Sequence, residues 1–103
     1  MSINSMAKDV VEKYALECPV EARFIDLTSE VGELGKELLK SNNYGKEACH
    51  PTAAIADEIG DVLFSLACIA NTLNIDIETA MKFSIEKYHR RFAETGDIGS
   101  RTI

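Results

Sequence analysis

Apolar residues recur every three or four positions through most of this 103-residue chain. An α-helix has 3.6 residues per turn, so this spacing collects the apolar side chains into one stripe along each helix. The stripes consist of Met6, Val10, Val11 and Tyr14; Phe24, Leu27, Val31, Leu34 and Leu38; Ile55, Ile59, Val62, Leu66, Ile69 and Leu73; and Ile77, Met81, Ser84, Tyr88 and Phe92. No segment shows the alternation typical of a strand. The pattern therefore predicts an all-α fold, a four-helix chain forming a helical bundle.

Capping and helix-breaking residues predict where these helices begin and end. Asn4 or Ser5 is expected to cap the first helix, and Pro19 to end it, because the residue before a proline avoids the helical region. The second and third helices are predicted over about residues 20–40 and 52–73. The first of these two is followed by a polar, glycine-containing loop.

The predicted fourth helix follows a cap at Asp76 and gives way to a glycine-containing tail. Residues 1–94 are therefore expected to form one all-α domain, and residues 95–103 a flexible C-terminal tail. Gly32, Gly35 and Gly60 fall inside predicted helices, where glycine lowers helix propensity by about 1 kcal/mol relative to alanine. We expect such glycines to allow two helices to approach closely.

Composition excludes several classes of partner. The formal net charge is -6 and the pI is near 4.8, so no general nucleic-acid or anionic-membrane surface is expected. No apolar run reaches the ~18 residues of a membrane span, and no signal peptide opens the chain. The three cysteines form no C-x-x-C pair, which favours a cytoplasmic protein. The third helix is apolar nearly all round, which predicts burial against a partner subunit in a homodimer or homotetramer.

Two acidic phrases are the candidate functional residues: Glu30 with Glu33, and Glu58 with Asp61. Residues three apart are neighbours on a helix surface, so each phrase presents a pair of carboxylates. Measured from the apolar stripe of its helix, each pair lies roughly 70° and 130° to the same side. The two pairs are thus angular equivalents, and all four carboxylates should converge when the two helices pack together.

A divalent cation would relieve the repulsion among these acids. The phrases offer only oxygen ligands, which favours Mg2+, Mn2+ or Ca2+ over zinc, and Mg2+ is the first choice because it often bridges carboxylates to phosphates. Lys87 and Arg91, four residues apart on the fourth helix, would supply donors to those phosphates. A single E-x-x-E is usually a solvated helix face. The matching placement of two such phrases favours a metal site.

Together these residues resemble the MazG-type nucleotide pyrophosphohydrolases over about residues 22–92. The resemblance rests on Glu30-Val31-Gly32-Glu33, Glu58-Ile59-Gly60-Asp61, Asn74-Ile75-Asp76 and Lys87-Tyr88-His89-Arg90-Arg91. It implies an all-α fold, a dimer or dimer of dimers, Mg2+ dependence, and cleavage of nucleoside triphosphates to monophosphate and pyrophosphate. It also implies that Glu30, Glu33, Glu58 and Asp61 are metal ligands, and that Lys87 and Arg91 contact phosphate.

Some positions depart from the family pattern. Ser29 stands where many members double the first acid, although the related dCTP-cleaving members also lack it. Ile85 replaces an asparagine that is frequent two residues before the lysine. Ser65 stands where the phosphoribosyl-ATP pyrophosphohydrolases usually carry histidine, which argues against that branch. The preferred base is not indicated; the N-terminal helix, Phe24, the Tyr44 loop and a second subunit are all candidates for contacting it.

The expected reaction is hydrolysis between the α and β phosphates. Mg2+ would bind the phosphates and acidify a water, Glu33 would accept its proton, and Lys87 and Arg91 would stabilise the departing pyrophosphate. A helical metal- or nucleotide-binding module without turnover is the alternative, and a purely structural bundle with exposed acids is a third.

Overall fold

The computed structural model describes residues 1–99, which form four α-helices. They are α1 (Ile3–Tyr14), α2 (Val20–Ser41), α3 (Ala53–Thr72) and α4 (Ile77–Thr95). No strand occurs within the described range, which confirms the predicted all-α class. None of the helices in residues 1–99 combines the length and hydrophobicity needed to cross a bilayer. Of the predicted C-terminal tail, residues 100–103 lie outside the described residues.

The first helix begins two or three residues before its predicted start. Ser2 is the N-cap: its hydroxyl accepts a hydrogen bond from the Ser5 N–H at 3.0 Å, while Ser5 Oγ accepts from the Ser2 N–H at 3.0 Å. This reciprocal pair is a capping box. The prediction of Asn4 or Ser5 as the cap is therefore wrong. The helix ends at a left-handed Ala15 (φ 52°), and Pro19 precedes α2 as its N-cap.

Helices α2 and α3 form the main packed unit. At one end, the buried Ser41 hydroxyl donates to the His50 carbonyl at 2.6 Å and accepts from the His50 N–H at 2.8 Å. Thr52 then caps α3 by accepting from the Ile55 N–H at 3.1 Å. At the other end, the Arg23 guanidinium lies 5.7 Å from the centre of the Phe64 ring. These contacts make α2 and α3 antiparallel and fix their register.

Helix α1 crosses α3 through a small core. Ala7, Ala67 and Cys68 are buried together, and four partly buried residues surround them: Ile3, Val11, Phe64 and Ile77. Small side chains at the crossing let the two backbones come close, which explains why a short helix can hold its place. The core is too small to cover the outer faces of the longer helices.

Helix α4 makes few contacts with the rest of the chain: Ile77 at its start packs on the small core, it touches α1, and none of its residues is buried. Met81 is 65% exposed and Phe92 is 61% exposed, although both belong to the predicted apolar stripe. Stripe residues of α2 and α3 are also exposed, among them Phe24, Val31 and Ile59. The radius of gyration is 16.7 Å, against about 13 Å for a compact domain of this length. A single chain therefore leaves much of its apolar surface uncovered.

The helical glycines do not mark close contacts within the chain. A Cβ atom placed on Gly32, Gly35 or Gly60 would meet no atom within 4 Å. The expectation that they allow helices of one chain to approach closely is therefore not met. Gly60 instead borders an apolar groove of about 320 Å³ on the outside of α3, together with Met6, Val10 and Leu63.

Candidate metal centre

Three of the four predicted carboxylates meet between α2 and α3. Glu30 comes from α2, and Glu58 and Asp61 come from successive turns of α3. One carboxylate oxygen from each residue lies within 4.8 Å of the others. The antiparallel register fixed by Ser41 and His50 sets Glu30 opposite the second and third turns of α3. The structure thus assembles three oxygen ligands from sequence positions almost thirty residues apart.

The fourth predicted ligand, Glu33, lies outside this three-carboxylate cluster. It is exposed on α2, one turn beyond Glu30. The helical wheel predicts the direction of a side chain around its own axis but not how far the axis lies from its neighbour. The roles predicted for Glu33, as a metal ligand and as the acceptor of a proton, stay predictions.

Glu58 is the most strongly perturbed member of the cluster. Burial raises the pKa of its carboxyl above the ordinary value of 4.5, and the neighbouring Asp61 raises it further. A hydrogen bond with Glu30 and the charges of Glu30 and Asp57 act in the same direction. Asp57 was not singled out by the sequence pattern, because it lies outside both acidic phrases. The protein holds these charges together at an electrostatic cost.

One oxygen of Glu58 lacks the partner that a shielded acceptor normally has. Its Oε2 atom is shielded from solvent. Among the side-chain nitrogen and oxygen atoms of residues 1–99, it is the buried one that has no hydrogen-bond partner. Buried polar atoms are nearly always satisfied, so such an atom calls for an explanation. A cation bound between Glu30, Glu58 and Asp61 would satisfy the oxygen and neutralise the repulsion. The all-oxygen donor set fits a hard divalent ion such as Mg2+.

The two predicted phosphate contacts lie elsewhere on the subunit. Lys87 and Arg91 border a surface hollow of about 200 Å³ with Arg90 and Glu94. The three carboxylates do not line this hollow, and α4 packs on the rest of the chain mainly through its first turn. Arg91 Nη1 also donates to the Ile98 carbonyl at 3.3 Å, in the turn that follows Gly96. Within one chain, the cations and the carboxylates form separate sites.

The sequence pattern also missed a polar junction at the start of α4, where Asn4 and Asn71 bind one another. Asparagine near a helix end is usually read as a cap, as Asn4 was. Nothing in the local pattern indicates that its partner lies on another helix.

Comparison with known proteins identifies the family. The model of the MazG nucleotide pyrophosphohydrolase domain matches residues 21–95. The chain belongs to this family of hydrolases. The match covers α2, α3 and α4, and it includes all four acids of the two phrases together with Lys87 and Arg91. Helix α1 lies outside it.

Individual relatives agree with this assignment. The uncharacterized protein YpjD of Bacillus subtilis (strain 168) is 41% identical over 68 residues, which are 63% of this chain and 60% of that protein. The chain thus spans less than two thirds of that relative. A crystal structure of the Bacillus-conserved MazG protein, a nucleotide pyrophosphohydrolase, is similar with a TM-score of 0.66 and 30% identity, over 99% of this chain and 94% of that one. The crystal structure of YpjD from Bacillus subtilis gives a TM-score of 0.65 and 30% identity, over 85% and 95% of the two chains.

Proposed function

We propose that this chain is a Mg2+-dependent pyrophosphohydrolase that cleaves a ribo- or deoxyribonucleoside triphosphate to the monophosphate and pyrophosphate. The observation that carries the proposal is the convergence of carboxylate oxygens of Glu30, Glu58 and Asp61 within 4.8 Å, together with a shielded Glu58 oxygen that has no hydrogen-bond partner. A chain of the MazG family that concentrates acids in this way is built to hold a cation beside a phosphate. The proposed substrate class favours the cytoplasm as the compartment.

Mg2+, or Mn2+ in its place, would be held by Glu30, Glu58 and Asp61. When bound, the ion supplies charge neutralisation to the α and β phosphates and makes a water molecule easier to deprotonate. The carboxylates would hold the ion at a fixed place relative to α2 and α3. Because all three come from rigid helices, little reorganisation is needed during the reaction.

The remaining steps belong to Glu33, Lys87 and Arg91. Glu33 lies one turn from Glu30 but outside the cluster, so its carboxylate is available to accept a proton from the attacking water. The water oxygen forms a bond to phosphorus as the bond to the bridging oxygen breaks. Lys87 and Arg91 donate to the pyrophosphate oxygens that gain charge, and preorganised donors of this kind supply much of the acceleration in phosphoryl transfer.

A second copy of the chain is needed to bring these groups together. In one chain α4 carries Lys87 and Arg91 away from the carboxylates, and the apolar stripes beside both groups are exposed. Two apolar grooves, of about 440 and 320 Å³, run along the outer face of α3 and share Ile3 and Leu63. We propose a homodimer or homotetramer in which a neighbouring chain covers this face and its cations complete the site.

The test is pyrophosphate release from each common ribo- and deoxyribonucleoside triphosphate, with Mg2+, with Mn2+ and with chelator. Wild type is compared with Glu58→Gln, Glu33→Gln and Glu21→Gln. Glu21 is an exposed acid on the same helix as Glu30 and serves as the matched control. We expect metal-dependent release that Glu58→Gln reduces by at least about a hundredfold, a typical effect of losing one group that stabilises transition-state charge. Glu21→Gln should match wild type.

Each variant separates a different part of the proposal. Metal binding retained by Glu33→Gln with loss of turnover supports its role in proton transfer. Tight nucleotide binding by wild type with no product would favour the binding module instead. Wild type that neither binds nor cleaves any nucleotide would overturn both and leave a structural bundle.

A further inference from the structure

Helix α4 is held at its start by a polar junction, beside the contact of Ile77 with the small core. Asn4, in the first turn of α1, donates through Nδ2 to Asn71 Oδ1 at 2.9 Å and to the Ile75 carbonyl at 2.8 Å. Its Oδ1 accepts from the Ile77 N–H at 2.9 Å. Asn71 Nδ2 donates back to the Asn4 carbonyl at 2.9 Å. One side-chain pair thus joins α1, the end of α3 and the first residue of α4.

The junction satisfies groups that a helix end normally leaves open. The first N–H groups of a helix have no partner within it, and Asn4 caps the N–H of Ile77 from a different helix. Asp76, the N-cap, accepts from the Thr79 N–H of the same turn at 2.9 Å. Ile3 N–H also donates to Glu78 Oε1 at 3.2 Å. Three hydrogen bonds therefore meet at the first turn of α4, while no residue of that helix is buried.

We propose that Asn4 and Asn71 are positioning residues that fix the direction of α4 and thereby place Lys87 and Arg91 for the pyrophosphate. The inference rests on the proposed function. Lys87 lies roughly 15 Å along the axis from Ile77 at about 1.5 Å per residue. A swing of about 10° at the junction therefore moves Lys87 by roughly 2 to 3 Å. A displacement of about 1 Å can cost a hundredfold in rate, so small changes at the asparagines should be amplified at the cations.

The amide group is the feature that the junction requires. An aspartate at position 71 keeps the oxygen that accepts from Asn4 and loses the donor to the Asn4 carbonyl, with almost no change in volume. Asn71→Asp is thus the conservative variant, and Asn4→Ala removes all three side-chain bonds of Asn4. Ser5→Ala is the matched control, because it removes the hydroxyl that accepts from the Ser2 N–H in the capping box of α1, at the next position, without touching α4.

The first measurement is kinetic. We expect Asn71→Asp and Asn4→Ala to lower kcat/KM by at least about tenfold and to weaken binding of inorganic pyrophosphate, while the affinity of the carboxylates for Mn2+ stays at the wild-type value. Ser5→Ala should lower the melting temperature and leave kcat/KM unchanged. Asparagine variants that lower the melting temperature but leave kcat/KM unchanged, as is expected of Ser5→Ala, would overturn the proposal.

The second measurement does not depend on catalysis. Spin labels are attached at Lys36 on α2 and His89 on α4, in a background with the free cysteines replaced, and labelled chains are diluted with unlabelled ones so that distances within one subunit are measured. Asn71→Asp should shift or broaden the distance distribution, and Ser5→Ala should not. An unchanged distribution overturns the proposal even in an inactive protein. If wild type releases no pyrophosphate but Asn71→Asp still shifts the distribution, the proposed function fails and the control of α4 by the asparagines is retained.

Discussion

Replacing Ile59 with alanine tests whether a second copy covers the outer face of α3. Ile55 and Ile59 lie one turn apart on this helix, but Ile55 is 8% exposed and Ile59 is 53% exposed in the single chain. Ile55→Ala should cost about 2 to 5 kcal/mol of unfolding free energy, as is usual for a buried isoleucine. Full burial of such a side chain contributes roughly 1.5 to 3 kcal/mol, so Ile59→Ala in an isolated subunit should cost only about 1 kcal/mol.

Coverage by a neighbouring chain changes that expectation. With Ile59 buried in an interface, its replacement should cost about as much as the replacement of Ile55. The loss should also grow as the protein is diluted, because the stability of an oligomer depends on subunit concentration. The assay is urea denaturation of wild type and both variants at protein concentrations about a hundredfold apart. Sedimentation velocity on the same samples reports the oligomeric state.

The reasoning would be refuted by a simple pattern. If wild type sediments as a monomer, and Ile59→Ala costs about 1 kcal/mol or less at every concentration, the exposed stripe of α3 is solvent-facing. The carboxylates and the cations would then stay apart, and the proposal that a neighbouring chain's cations complete the site would fail. Ile55→Ala provides the internal control, since its cost does not depend on a partner.

Three further outcomes follow from the titrating groups. The folded-state pKa of Glu58 is raised, so the folded protein binds a proton more tightly than the unfolded chain does. Without metal, the stability of the fold should therefore fall as pH rises from below 4.5 through the raised pKa. Melting scans with chelator should show this fall, and saturating Mg2+ or Glu58→Gln should remove it. Two hydrogen bonds from Thr79 lower the pKa of Asp76. The stabilisation that they provide is therefore present above the ordinary pKa near 3.8, and it is lost as pH falls through the lower folded-state pKa. In melting scans at low pH, Asp76→Ala should show a weaker dependence of stability on pH. Burial raises the pKa of the Cys68 thiol, so a thiol-reactive chromophore should label the two exposed cysteines rapidly and Cys68 only on unfolding, and equal rates for all three would contradict its placement in the core.

Local signals predicted the helices well because helix ends depend on adjacent residues. The predicted ranges for α2 and α3 differ from the observed ones by one residue at individual ends. The cap of α1 was missed because Ser2, Asn4 and Ser5 are all good capping residues in sequence, and only the structure shows Asn4 engaged with α3 and α4. Propensity ranks such candidates but cannot tell which side chain has a partner remote in sequence.

The candidate site could also be predicted only as far as local spacing and helix packing determine it. The spacing of Glu58 and Asp61 follows from the helical repeat, and their meeting with Glu30 follows from antiparallel packing. Whether Glu33 also reaches the ion depends on the distance between two helix axes, which the side chains at the contact determine. Periodicity contains no such distance. It also contains no information on which chain covers an apolar stripe.

The apolar stripe of α4 shows why it matters for function which chain covers an exposed stripe. Tyr88 and Phe92 are exposed on that stripe, and the Lys87 ammonium lies 5.4 Å from the centre of the Tyr88 ring. Any surface that covers Tyr88 and Phe92 must therefore pass beside the cations and constrain where they point. Weakening that contact, for example with Phe92→Ala, should reduce subunit association and pyrophosphate affinity together, whereas a change at Glu30 should reduce metal affinity alone. The packing of α4 against its neighbour would then determine where its charged side chains lie.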